Sequence, residues 1–394
     1  MSKTEEIKHP GIENPGNQCY FNSILQALAS CNSIFKILIN RRIYDGDMII
    51  VIKKYNLLDI QLEDLQKRCV ELLSYSGENE LSEQEKIIIQ QIQKMPTDTY
   101  IYLDWRNVIL SLIKSHSITL KINNLVYLLQ FKVNNHAFKD LFSGKQCDPH
   151  EAMLFLLDLV HRYCSVPLSE PRELAVPQLD IPGLPTDLLE MYQKQFITEY
   201  GNGYSQFAEH FHNSYLSIIK RRACGHCVYN ISPMSVIDIP LPIKAKDCKL
   251  EDCLANFFHC EELEKYKCDR CSTINSCILE KKIIKPAQTL IIELKRFIQH
   301  PILGLAKNNI PVEFPAILDI TQYIVDQRHA LKYELNAVLV HASAMMGFGH
   351  YYCVARKFGT DTWIICDDAR ITNTTVDLAL GQRGAYLLFY TQCD

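Results

Sequence analysis

The chain is poor in the features that would take it out of the ordinary folded class. Its 394 residues hold only 15 glycines, 16 prolines and two tryptophans, which excludes a collagen-like fibre and a Pro/Gly low-complexity tract. No apolar run reaches the ~18 residues a membrane span needs, so no membrane partner is expected. The opening stretch MSKTEEIKHP lacks an apolar centre, and no secretory signal is expected from it. Charge of one sign is also lacking. Lys and Arg number 41 against 45 Asp and Glu, a net −4, which gives no basis for a nucleic-acid partner. Hydrophobic residues make up 47% and charged residues 22%, enough for a sizeable core without disulfides.

Cysteine is plentiful, with sixteen in the chain. With no secretion signal they indicate a reducing compartment, cytoplasm or nucleus. There, thiols serve as buried hydrophobes, metal ligands or nucleophiles.

The first half reads as helical. From Asn22, Ile24, Leu28 and Cys31 fall on one helical face, and a second helix from His150 to Tyr163 puts Met153, Leu157 and Val160 together. Between them, Asp59–Thr99 reads as an exposed, acidic helical insertion. Val166–Pro185 carries five prolines and reads as a linker. The last third reads as short strands at Tyr333–His341, Tyr351–Arg356, Trp363–Cys366 and Tyr386–Tyr390. Helices first and strands later argue for an α+β fold, with no internal repeat.

Cys224-Gly-His-Cys227 and Cys268-Asp-Arg-Cys271 are two C-x₂-C knuckles with 40 residues between them. Each knuckle can aim two thiolates at one Zn²⁺, and two complete a tetrahedron. The intervening sequence, β-rich at Val236–Ile243 and helical at Leu250–Phe258, suits two long hairpins whose tips meet at the metal. Four thiolates leave no open position, so the expected zinc is structural, one per chain. His226, Cys248, Cys253, Cys260 and Cys277 read as packing or surface. A redox pair is disfavoured, since no βαβ pattern surrounds either knuckle.

In Asn14-Pro15-Gly16-Asn17-Gln18-Cys19 a Pro-Gly turn delivers a cysteine to a helix start. A helix N-terminus favours thiolate over thiol. Its free N–H groups, with the Asn14 amide, can stabilise an oxyanion. A nucleophilic thiol needs a base and an orienting group. His350 opens a strand after a glycine loop, and Asp367, seventeen residues on, ends another strand beside Asp368. Paired antiparallel strands would bring His350 beside Asp367. His341 reads as a packed side chain.

These stretches resemble the ubiquitin-specific protease family, papain-like deubiquitinating enzymes. Gly11 to Gln26 resembles the cysteine box, and Gln146-Cys147-Asp148-Pro149-His150-Glu151 the Gln-x-Asp-x-x-Glu box. Leu290–Phe297, Val312–Asp319, Tyr333–Arg356, Trp363–Asp368 and Ala385–Tyr390 resemble the palm strands and the histidine box. The resemblance implies a thumb, palm and fingers architecture in one catalytic domain, expected to be monomeric. Its parts would be a tail over 1–10, a helical thumb over 11–200 with the insertion near 59–99, zinc-bearing fingers over 201–288 and a β palm over 289–394. It also implies hydrolysis at the C-terminal glycine of ubiquitin through a thioester. Cys19 would be the nucleophile, His350 the base, Asp367 the orienting residue and Asn14 the oxyanion donor. Asp368 would share the orienting role or help the oxyanion. Asp148 and Glu151 would hold the extended ubiquitin tail, Tyr351 would line the Gly-Gly channel, and the loop from Ser343 to Gly349 would be a mobile gate. Gln18 stands where Thr is usual, Cys147 where Gln is common and Ala342 where Gly is common; none removes a catalytic group. Two alternatives are a catalytically silent ubiquitin-binding scaffold and a protease for another ubiquitin-like modifier. No appended targeting domain is expected, since the boxes use nearly all the residues.

Overall fold

Polar residues buried with partners set the first helix. In the computed structural model, which describes residues 9–39, 97–114, 119–133, 140–165, 179, 181, 183–201, 203–300, 304–343 and 349–393, α1 (Cys19–Ser30) begins upstream of the expected Asn22. All twelve of its residues are buried, not one stripe. The stripe underestimates burial because the polar residues between apolar positions find local acceptors. Ser23 Oγ donates to the Cys19 carbonyl at 2.7 Å, and Ser30 Oγ to that of Ala27 at 2.7 Å. Gln26 Nε2 reaches the Pro10 carbonyl at 3.0 Å.

Among the described residues five further helices follow: α2 (Asn32–Ile39), α3 (Thr97–Lys114), α4 (Asn123–Val133), α5 (Pro149–Cys164) and α6 (Thr186–Tyr200). A short α7 (Gln206–Phe211) leads into the strands. α5 matches the expected His150–Tyr163 helix; Asp148 caps it and Pro149 occupies its first turn. The acidic insertion lies outside the described residues apart from its last three, which open α3, and most of the proline-rich linker lies outside them too.

Four antiparallel strands form the fingers: β1 (Asn213–Arg221), β2 (Cys227–Met234), β5 (Glu261–Lys267) and β6 (Ile274–Lys285), in the order β2-β1-β6-β5. The chain between the two hairpins leaves this sheet. β3 (Val236–Pro240) pairs in parallel with β7 (Thr289–Lys295) at the rim of the palm sheet. β4 (Cys248–Lys249) and α8 (Leu250–Phe257) follow it.

The palm sheet adds β12 (Lys332–Ala342), β13 (His350–Arg356), β14 (Trp363–Asp367), β15 (Arg370–Thr374) and β16 (Ala385–Gln392), in the order β15-β14-β13-β12-β16-β7-β3. β11 (Ile317–Asp319) pairs with β12. β8 (Phe297–His300) and β9 (Gly304–Lys307) make a separate hairpin, β10 (Val312–Glu313) pairs with β4, and α9 (Val376–Leu380) precedes β16. The four expected palm strands all lie within observed ones.

Strand alternation divides the core. Ala337, Leu339, Leu387 and Phe389 face α1, α3 and α5, while Val338, Val340, Leu388 and Tyr390 face α8 and the palm loops. The palm is thus covered on both faces, and α1 is pressed against β13, the strand that begins with His350. Among the described residues no helix is long and apolar enough to cross a membrane.

Candidate functional site

The turn before α1 is held by one side chain. Asn14 Oδ1 accepts the backbone N–H groups of Gly16 and Gln18, both at 3.0 Å, an Asx-type turn. Asn17 takes a left-handed φ of 54°. The turn ends with Cys19 as the first helical residue and its side chain buried.

The surroundings of this thiol oppose the thiolate that a helix start favours. Burial pushes the Cys19 thiol up, and the Asp368 carboxylate pushes it further. Backbone N–H groups, first that of Tyr351 and then those of Tyr20 and Cys19, act in the expected direction but are outweighed.

His350 begins β13 and Asp367 ends β14, and these strands pair antiparallel. His350 Nε2 hydrogen-bonds Asp367 Oδ1, as the strand spacing anticipates. Both side chains remain about two-fifths exposed, 41% and 43%. Because Nε2 is engaged, proton exchange with a reacting group falls to Nδ1.

Asp368 lies within 4.8 Å of both, yet its own bonds run to the helical side. Asn14 Nδ2 donates to one carboxylate oxygen at 2.9 Å and Asn22 Nδ2 to the other at 2.7 Å. Its φ of 50° is left-handed, and its carbonyl accepts the Ile12 N–H at 2.9 Å. Gly11 closes on the same corner: a Cβ there would sit 2.3 Å from the Ala369 carbonyl oxygen. Asn22 was not among the sequence candidates. The available signal was its place three residues after Cys19, on the same helical face.

Around the expected tail site, Asp148 caps α5 through the His150 N–H at 2.8 Å and lies 2.9 Å from the Tyr386 hydroxyl. Burial pushes its carboxyl up against these bonds. Glu151 is exposed one turn into α5. Tyr351 is buried, its ring stacked on His341 at 4.6 Å and 6.3 Å from the Tyr386 ring. His341 is packed, as read from sequence; burial, Lys307 and Arg296 push it down to about 4.

The sequence did not reveal a polar group beside Asp148. Tyr386 Oη also lies 2.9 Å from Glu293, and His150 Nδ1 is 3.2 Å from Glu293, with Asp238 beyond. Of the expected gate, Ser343 and Gly349 are described and 344–348 lie outside the described residues. Gln146 Nε2 donates to the Gly349 carbonyl.

At the fingertips the two hairpin turns meet. Cys224 Sγ and Cys268 Sγ lie 3.8 Å apart, and with Cys271 Sγ they form a cluster within 4.8 Å. A tetrahedron with ~2.3 Å Zn–S bonds has edges of ~3.8 Å, so this donor set can hold a metal. Cys227 does not join, contrary to expectation. It opens β2 opposite Lys220, and its thiol contacts the Gly225 carbonyl at 3.8 Å.

A family model described as ubiquitin carboxyl-terminal hydrolase matches residues 10–390. Ubiquitin carboxyl-terminal hydrolase 4 of Vanderwaltozyma polyspora is 24% identical over 407 aligned positions, covering 96% of this chain and 40% of that protein. Ubiquitin carboxyl-terminal hydrolase 2 of Homo sapiens is 26% identical over 392, covering 96% and 54%. The chain therefore spans from about two-fifths to about half the length of these relatives. A solved chain of the SAGA DUB module Ubp8/Sgf11/Sus1/Sgf73 bound to monoubiquitin superposes with a TM-score of 0.65 at 20% identity, covering 100% of this chain and 71% of that one. At that identity the likeness is one of fold.

Proposed function

This chain belongs to the ubiquitin carboxyl-terminal hydrolase family, and on that footing we propose that it is a thiol-dependent deubiquitinase. It would hydrolyse the isopeptide or peptide bond at the C-terminal glycine of ubiquitin. One observation carries the reading: α1, whose first residue is Cys19, packs against β13, whose first residue His350 is bonded to Asp367. The helix that presents the thiol and the strand that presents the imidazole therefore lie side by side.

In the proposed reaction His350 Nδ1 takes the thiol proton as the sulfur attacks the carbonyl carbon. Asp367, bonded to Nε2, holds the ring and stabilises the imidazolium. Asn14 is aimed by three partners: two N–H groups on its oxygen and Asp368 on its nitrogen. Its second amide hydrogen is assigned to the oxyanion. Asp368, fixed by Asn14 and Asn22, thus supports the oxyanion side rather than the imidazole. The imidazolium protonates the leaving lysine amine. Water, activated by the same base, then hydrolyses the thioester. Asp148 and Glu151 are assigned to the backbone of the substrate tail, and Tyr351 to the wall of its narrow end.

The test is hydrolysis of ubiquitin carrying a fluorogenic amide on its C-terminal carboxylate. Because the proton that reaches the leaving amine comes from the Cys19 thiol, kcat/KM should be bell-shaped in pH, falling in acid where a base is protonated and falling again in alkali where the thiol ionises, with the alkaline limb displaced upward because the thiol is raised. Absence of turnover at every pH would overturn the reading. The raised thiol also suits a silent ubiquitin-binding scaffold, which would bind ubiquitin yet form no adduct with a ubiquitin-based electrophile.

We also assign a structural zinc to Cys224, Cys268 and Cys271; it would cross-link the two fingertips. Metal analysis of the reduced protein should give one zinc per chain. Cys224→Ser should raise KM more than it lowers kcat, since fingers contacts lie far from the scissile bond. Zinc-free protein as isolated would remove the assignment.

A further inference from the structure

We infer that Lys307 is a positioning residue for the reaction proposed above: by holding the backbone carbonyls of His341 and Ser343 it sets the bracket in which Gly349 sits, and through Gly349 the place of His350. The inference rests on that reaction for its kinetic consequence.

Lys307 ends β9, on a hairpin outside the palm sheet. Its Nζ donates to the His341 carbonyl at 3.0 Å and to the Ser343 carbonyl. These are the last turns of chain before the segment that returns at Gly349. The same two residues bracket Gly349: a Cβ built there would lie 2.3 Å from His341 Nε2 and 2.8 Å from Ser343 Cβ. Gly349 has no room to shift toward either, and from the helical side Gln146 holds its carbonyl. The next residue is His350, whose ring already answers to Asp367.

An amine suits the task because it carries three donors on a flexible stem and can reach two carbonyls that diverge. The choice is costly. Lys307 is half-buried near the fully buried Arg296, and among the described residues no carboxylate pairs with either. Packing alone would be served better by an apolar side chain.

Lys307→Met keeps the stem and removes the donors. In the full chain it should lower kcat for the fluorogenic ubiquitin substrate about tenfold and leave KM within about twofold, because the tail contacts are untouched. Lys307→Arg, which can still reach both carbonyls, should restore most of the rate. Should Lys307→Met fail to fold, Lys307→Gln, with one donor pair, takes its place. A readout without turnover is the NMR titration of the His350 ring, which should shift in the Met variant while that of His259 stays. Turnover by the wild type with kcat unchanged in the variant, or a lower melting temperature with neither kcat nor the His350 titration altered, would overturn the inference. A wild-type chain without turnover would overturn the proposed reaction instead, and the His350 titration alone would then decide the role of Lys307.

Discussion

Replacing Cys19 by alanine should lower kcat/KM for fluorogenic ubiquitin by at least about 10⁴-fold, leaving only what tail binding and the oxyanion donors supply. The magnitude follows from covalent catalysis. A stable amide is cleaved here in two steps, and both pass through the sulfur. The variant should still bind ubiquitin, since its tail contacts are assigned to Asp148, Glu151 and Tyr351. A smaller methyl group in a site that is already buried should cost little stability. His350→Ala should approach the same loss, because burial and Asp368 raise the Cys19 thiol and its attack then depends on the base. The two losses should not add, since both residues serve one proton transfer. Activity of Cys19→Ala within tenfold of wild type, measured on freshly purified protein, would end the hydrolase assignment.

Replacing Arg296 by methionine should cost about 2–6 kcal/mol of stability, at about 1–3 kcal/mol for each of the two fully buried carbonyls left without its donor. Arg296 is fully buried. Its guanidinium is held by backbone carbonyls: Ala385, Arg383 at 3.0 Å, Asn308 at 3.0 Å and Ile310 at 2.8 Å. These belong to the entry of β16 and to the connection between β9 and β10, so one side chain ties both stretches to its own, just after β7. Burial pushes the group down to about 10, which still leaves it charged at neutral pH. Methionine would fill much of the volume but take the guanidinium donors from two buried carbonyls, Ala385 and Ile310, and from two part-buried ones, Asn308 and Arg383. Lysine should rescue little, because a point charge cannot reproduce the planar fork. The measurement is the shift of the denaturant midpoint at unchanged slope. A change below about 1 kcal/mol would show that water or a relaxed backbone satisfies those carbonyls.

Elements with a strong local signature were legible in the sequence. The Asn14–Gly16 turn followed by Cys19 is a backbone instruction spelled in adjacent residues. The same holds for the Asp148-Pro149 start of α5 and for the alternating strands β12, β13 and β16. Strand β15 was not foreseen, for a physical reason. Arg370–Thr374 is a mostly polar edge strand, exposed along much of its length, so it has no buried face to imprint alternation. β3 was read as part of the fingers, yet it lies in the palm, since β propensity does not say which neighbour a strand will take.

Local spacing by itself determined which residue types could do chemistry: a thiol at a helix start, an imidazole and a carboxylate on strands seventeen residues apart, and two cysteine knuckles on hairpin turns. Only the tertiary structure decided their state and their company. The thiol is raised because burial from every side outweighs the helix end. Asp368 is claimed by Asn14 and Asn22, 354 and 346 positions away. Tyr386 joins Asp148 to Glu293, and Lys307 holds the strand that leads toward His350. Such partners meet only when distant segments pack together. Desolvation and hydrogen bonding depend on all the atoms around a group, whereas periodicity and spacing carry information only along the chain.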